Sequence, residues 1–125
     1  MIYVNCSGSA IALTPETESC DAILQAWYAG ESGGQAVADV LFGDYNPSGK
    51  LPVTFYKNSE QLGDFEDYSM KGRTYRFMSD ALFPFGYGLS YTTFTIGTAR
   101  LNRTEISNNE SITLTIPVMN TGKRN

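Results

Sequence analysis

Histidine is absent from the sequence. That removes Ser-His-Asp and Cys-His catalysis and every histidine-containing zinc site. Cysteine is nearly absent: Cys6 and Cys20 are the only two, too few for a four-ligand metal site, so no metal is expected. Two isolated thiols either form one disulfide in an oxidising compartment or sit unpaired as small hydrophobes. Basic charge is sparse. Nine Lys and Arg face thirteen Asp and Glu, a formal net charge of -4, and the largest local grouping is the three residues Lys71, Arg73 and Arg76. A nucleic-acid partner needs clustered cations and is not expected. Apolar runs are short. None approaches the roughly 20 residues that span a bilayer, so no membrane partner is expected. Met1–Asn5 has neither a basic stretch nor a long apolar one, so no signal peptide is expected in this chain.

What is present fits an ordinary globular polypeptide. The chain has 125 residues, 42% of them apolar, which suits about one domain of roughly 100–150 residues. Ile2-Tyr3-Val4-Asn5-Cys6 is a short β-rich run closed by Ser7-Gly8-Ser9 and reads as a buried strand. At Thr14-Pro15-Glu16 a cap residue, a proline at the first helical position and acids in the first turn predict a short helix. Ala22–Tyr28 is a second apolar run, ended by Ala29-Gly30. Periodicity alone leaves it open between helix and strand, and its length and trailing glycine favour a buried parallel strand. Ser32-Gly33-Gly34-Gln35 matches a capping box. Ala36, Val37, Val40 and Leu41 then share one helical face, and Gly43 is placed to stop the helix in a left-handed conformation. Strand, turn and capped helix make half of an α/β unit.

Asn46-Pro47-Ser48-Gly49 predicts a type I turn, and Leu51–Tyr56 a strand that Pro52 confines to an edge or to its first ladder position. Residues 57–92 show no firm period and are dense in aromatic residues. Most of these rings are expected to pack against the sheet, because aromatic side chains chiefly supply buried area. Past Thr93 the pattern changes to alternation. Phe94 and Ile96 alternate with polar residues, and Ile112, Leu114, Ile116 and Val118 alternate with Thr113, Thr115 and Pro117, as in half-buried antiparallel strands. Asn120–Asn125 reads as a turn after such a strand, so the natural polypeptide is expected to continue. Asn5, Asn102 and Asn109 each begin an Asn-x-Ser/Thr triplet, taken as chance matches.

Two stretches together carry a family resemblance. Residues 23–55, with Gly30-Glu31-Ser32-Gly33-Gly34-Gln35 and Asn46-Pro47-Ser48-Gly49-Lys50-Leu51-Pro52 inside them, resemble the end of the α/β sandwich domain of glycoside hydrolase family 3. Leu82-Phe83-Pro84-Phe85-Gly86-Tyr87-Gly88-Leu89-Ser90-Tyr91 resembles that family's passage into a fibronectin type III-like domain. Asp67–Phe77 is similar to β-xylosidase and β-glucosidase members. The fold class expected is therefore α/β. Residues 1–91 would be the C-terminal part of an α/β sandwich domain, and residues 92–125 the first two strands of an incomplete fibronectin type III-like β-sandwich.

The resemblance implies a retaining β-glycosidase acting on terminal β-linked glucose or xylose of oligosaccharides or aryl glycosides, without a cofactor. Such chemistry needs a nucleophilic and an acid/base carboxylate about 5–5.5 Å apart. The family's nucleophile is an aspartate of an N-terminal barrel of about 250 residues, which this chain is too short to contain. The family's sandwich-domain acid/base lies upstream of the matched stretch. No catalytic residue is therefore assigned here, and the chain alone is expected to be inactive. The intact enzyme would be periplasmic or secreted.

Three residues are candidate substrate contacts. Glu31 lies at the carboxyl end of a parallel strand, where ligands of open α/β sheets gather. The alternative, which is preferred, is a carboxylate placed against a helix dipole. Ser32-Gly33-Gly34-Gln35 lacks the lysine of a phosphate-binding loop, so no nucleotide is expected. Tyr68 and Tyr75 follow an acidic cluster of Asp64, Glu66 and Asp67 that lies near Lys71, Arg73 and Arg76. They would stack on sugar in a loop lining the site; the preferred alternative is a solvated charged loop with weak ion pairs. Two further functions stay open: a non-catalytic carbohydrate-binding or structural module, and an unrelated α/β enzyme using Glu31 with the acids of residues 64–67.

Overall fold

The computed structural model describes Met1–Arg124 and divides into two bodies, Met1–Leu89 and the part from Ser90 onward. Each is described by itself.

In the first body the β-rich run at the start forms β1 (Ile2–Asn5), and the second apolar run forms β2 (Ala22–Gln25). They pair in parallel, Ile2 with Ala22 through Asn5 with Gln25. A parallel pair cannot be joined by a tight turn, and helix α1 (Thr14–Ser19) supplies the crossover. Its first residue differs from expectation. Leu13, not Thr14, occupies the cap position, and the Thr14 hydroxyl donates to the Lys57 carbonyl at 2.8 Å. Leu13 is buried, 2% exposed.

This register settles the cysteines. Cys6 follows the carboxyl end of β1 and Cys20 precedes the amino end of β2. At about 3.3 Å per residue, that places them on the order of 15–20 Å apart, whereas a disulfide needs Cα atoms within about 7 Å. Both are free thiols.

Helix α2 (Gly33–Phe42) follows β2 and ends at Gly43, whose φ of 84° is the left-handed stop the sequence predicts. The expected capping box does not form. Ser32 takes φ -92° and ψ 19°, away from the extended backbone from which a serine side chain reaches the first turn, and it makes no side-chain cap bond. Gln35 instead donates to Asp39 Oδ1, one turn along. The expected turn at residues 46–49 does not form; the chain turns earlier, at Gly43–Tyr45.

Leu51–Tyr56 does not form a continuous strand. It touches the 82–87 segment at two points. Leu51 exchanges bonds with Tyr87 and Gly86, both 2.8 Å, and Phe55 exchanges bonds with Phe83 at 2.9 and 3.2 Å. Between those points Pro52 has no N–H to give. Phe55 is the keystone, 1% exposed, meeting Trp27 edge-on at 6.1 Å and Phe83 at 6.5 Å, with Phe83 against Tyr87 at 5.1 Å. Burying a phenylalanine contributes about 1.5–3 kcal/mol. This ring chain ties the end of β2 to both extended segments.

The second body is a bent hairpin. β3 (Phe94–Ile96) pairs antiparallel with β6 (Val118–Asn120), and β4 (Arg100–Leu101) with β5 (Leu114–Thr115). The expected long strand over 112–118 is thus split. Gly97 bonds the Pro117 carbonyl at 2.8 Å, and the next partners are Arg100 and Thr115. Thr98 and Ala99 therefore lie opposite the single residue Ile116, which is a bulge. An extra residue shifts the register by one and exchanges the two faces of that arm beyond it. The expected half-burial is not found either: Ile112, Leu114, Ile116 and Val118 are all exposed in this body.

The base of the hairpin is tied by polar contacts. The buried Thr92 hydroxyl donates to Asn120 Oδ1 at 2.7 Å, and the Gly122 N–H donates to the same oxygen at 3.0 Å. Gly122 passes so close that a Cβ there would lie 2.1 Å from Thr92 Oγ1 and 2.7 Å from the Thr93 nitrogen.

Candidate functional site

At the carboxyl ends of β1 and β2 three polar side chains link to one another. Asn5, buried despite its polarity, donates from Nδ2 to Gln25 Oε1 at 2.6 Å and to Ser7 Oγ at 2.9 Å. Gln25 Nε2 donates to the Ser7 carbonyl at 3.3 Å. Buried amides need such partners, since an unpaired one costs about 1–3 kcal/mol. Two residues past Gln25, Trp27 adopts φ 55°, unusual for a bulky side chain, and turns the chain away from the strand. Glu31 follows on the turn before α2, exposed to solvent. The sequence reading missed the linked amides. Asn5 carried a signal, a polar residue inside an apolar run, but its partner lies twenty residues away and only the parallel register brings them together.

The loop between residues 57 and 80 is braced at several points. Lys57 pairs with Asp80, and its N–H donates to Gln61 Oε1 at 2.7 Å. The Thr74 N–H donates to the Tyr56 hydroxyl at 3.0 Å, which helps hold Thr74 at φ 59° at the start of the short helix α3 (Thr74–Phe77). A β-branched residue rarely adopts positive φ. Tyr75 follows directly, 70% exposed, its ring 5.4 Å from that of Phe85. Tyr68 is 88% exposed.

The acidic cluster shapes turns. Asp64 Oδ1 accepts the Glu66 N–H at 2.9 Å, and Asp67 Oδ1 accepts the Ser69 N–H at 2.8 Å. Asp67 Oδ2 accepts the Ser69 hydroxyl at 3.0 Å. The Ser69 N–H, then its hydroxyl, with a smaller contribution from the Arg73 charge, hold the Asp67 carboxyl below its usual range. Arg73 donates to the Asp64 carbonyl at 2.7 Å, closing the loop on itself.

The three candidate contacts are thus placed separately. Glu31 is on the turn before α2, Tyr68 on the acidic loop, and Tyr75 on α3 against Phe85. Among the described residues no hydrogen bond, ion pair or ring contact joins any two of them. Among the described residues, too, no three His, Cys, Asp or Glu side chains are grouped to hold a metal ion, and no helix is long and apolar enough to cross a membrane.

Comparison with known proteins gives the context. A family model described as the glycosyl hydrolase family 3 C-terminal domain matches residues 1–91. A xylan 1,4-beta-xylosidase of Xylanibacter ruminicola is 70% identical over 125 residues, all of this chain and 14% of that protein. A periplasmic beta-glucosidase of Salmonella typhimurium is 42% identical, over 99% of this chain and 18% of that protein. Among solved structures, beta-glucosidase 3B from Thermotoga neapolitana in complex with glucose superposes with a TM-score of 0.76 at 32% identity, covering 98% of this chain and 19% of its own. A beta-glucosidase from Streptomyces venezuelae in complex with D-glucose gives 0.79 at 35% identity, over 98% of this chain and 17% of its own. The chain therefore spans less than a fifth of the length of each of these relatives.

Proposed function

Because this chain belongs to glycosyl hydrolase family 3, we propose that it is one portion of a β-glycosidase that releases terminal β-linked xylose or glucose with retention of configuration. Residues 1–91 serve as the end of the α/β sandwich domain and residues 92–125 as the opening of a fibronectin type III-like domain. The observation that carries this reading is the 70% identity to a xylan 1,4-beta-xylosidase across the whole chain. Export to the periplasm or beyond goes with it, as the name of the Salmonella relative suggests.

Retention requires two carboxylates on opposite faces of one sugar ring, about 5–5.5 Å apart. Five acids of this chain are engaged in its own structure. Asp64 and Asp67 fold turns, Asp39 takes the Gln35 amide, Asp80 pairs with Lys57, and Glu110 pairs with Arg103 at 3.0 Å. As membership of the family implies, both catalytic carboxylates come from the remainder of the polypeptide, the nucleophile from an N-terminal barrel. What this chain contributes is framework and, in Glu31, Tyr68 and Tyr75, side chains able to contact the sugar. In favour of that role are Glu31's position past the carboxyl end of β2 and the exposed ring of Tyr75 beside Phe85.

Turnover of aryl β-xylosides and β-glucosides tests the assignment. The whole polypeptide that contains this chain releases the aryl alcohol and gives the β-anomer of the sugar first by proton NMR, while residues 1–125 alone release nothing above buffer. First formation of the α-anomer, or turnover by residues 1–125 alone, refutes the proposal. Stabilisation of residues 1–125 by sugar without turnover assigns the chain to binding instead.

A further inference from the structure

We draw no further inference here: the strongest candidate, the exposed Tyr75–Phe85 ring pair on the braced segment that follows Thr74, is an unpartnered apolar patch within the reading already proposed, and nothing in the structure shows whether a sugar or another stretch of polypeptide covers it.

Discussion

Met1–Leu89 and the hairpin after it carry similar kinds of apolar side chain and treat them differently. The first body closes a small aromatic core, in which Phe55 is sealed by Trp27 and Phe83, and it buries Leu13 as well. In the second, every large apolar side chain from Tyr91 to Met119 remains at least 41% exposed, and among the described residues the buried one is the polar Thr92. Alternation in sequence chooses a face, but a face is buried only when a second layer lies on it. The first body brings three distant segments to one ring. Among the described residues the hairpin has two arms, and two arms without a further strand or layer are marginally stable at best. What holds its base is hydrogen bonding at Thr92, Asn120 and Gly122, with little apolar burial.

Core truncation separates the two bodies most sharply. Phe55→Ala is expected to cost about 3–5 kcal/mol, while Ile96→Ala, on the exposed hairpin, costs within about 0.5 kcal/mol. Urea unfolding of the 125-residue chain followed by the fluorescence of Trp27, its single tryptophan, measures the first; amide exchange across β3 and β6 measures the second. Equal costs would erase the distinction. Next in size is Gly122→Ala. Its new methyl meets Thr92 Oγ1 and the Thr93 backbone, so the base of the hairpin must shift, at about 1–3 kcal/mol. Amide exchange at Thr121 should quicken while exchange in β1 and β2 stays unchanged. Unaltered exchange at Thr121 would show that the close approach is not a constraint.

The smallest effect is electrostatic. Asp67 is held below its ordinary 3.8 by Ser69, so its ionised form is favoured in the folded loop. The stabilisation is present above the unfolded pKa and is lost as pH falls through the folded one. A carboxyl-carbon NMR titration should give Asp67 a midpoint under 3.8, and Ser69→Ala should raise it towards that value. Because the group is exposed, the gain is small, and an unshifted midpoint would deny the Ser69 bonds any role.

Much of the first body was legible. The apolar residues 2–4 and 22–24 pair in parallel as expected, although the expected burial of both strands is met only at Asn5, and Gly43 marks the end of α2. The failures share a cause: they depend on a partner that the local pattern does not name. The Ser32 cap requires an extended serine, which the turn after Trp27 does not provide. The Leu51–Tyr56 strand requires a continuous neighbour, and the 82–87 segment meets it at two points. The bulge at Thr98 and Ala99 exists only relative to Ile116, and Asn5 finds Gln25 only through the parallel register. Glu31, Tyr68 and Tyr75 are candidates by residue type alone, and the ring beside Tyr75 was not legible, since Phe85 is ten residues further along.

The central claim is that this chain supplies framework and leaves the attacking carboxylate to the rest of the polypeptide. A 2-fluoro β-xyloside or β-glucoside with a good leaving group traps the glycosyl-enzyme of a retaining hydrolase. Peptide mass spectrometry of the whole polypeptide treated in this way should place the adduct on an aspartate outside residues 1–125; an adduct on any side chain from Met1 to Asn125 would contradict the account.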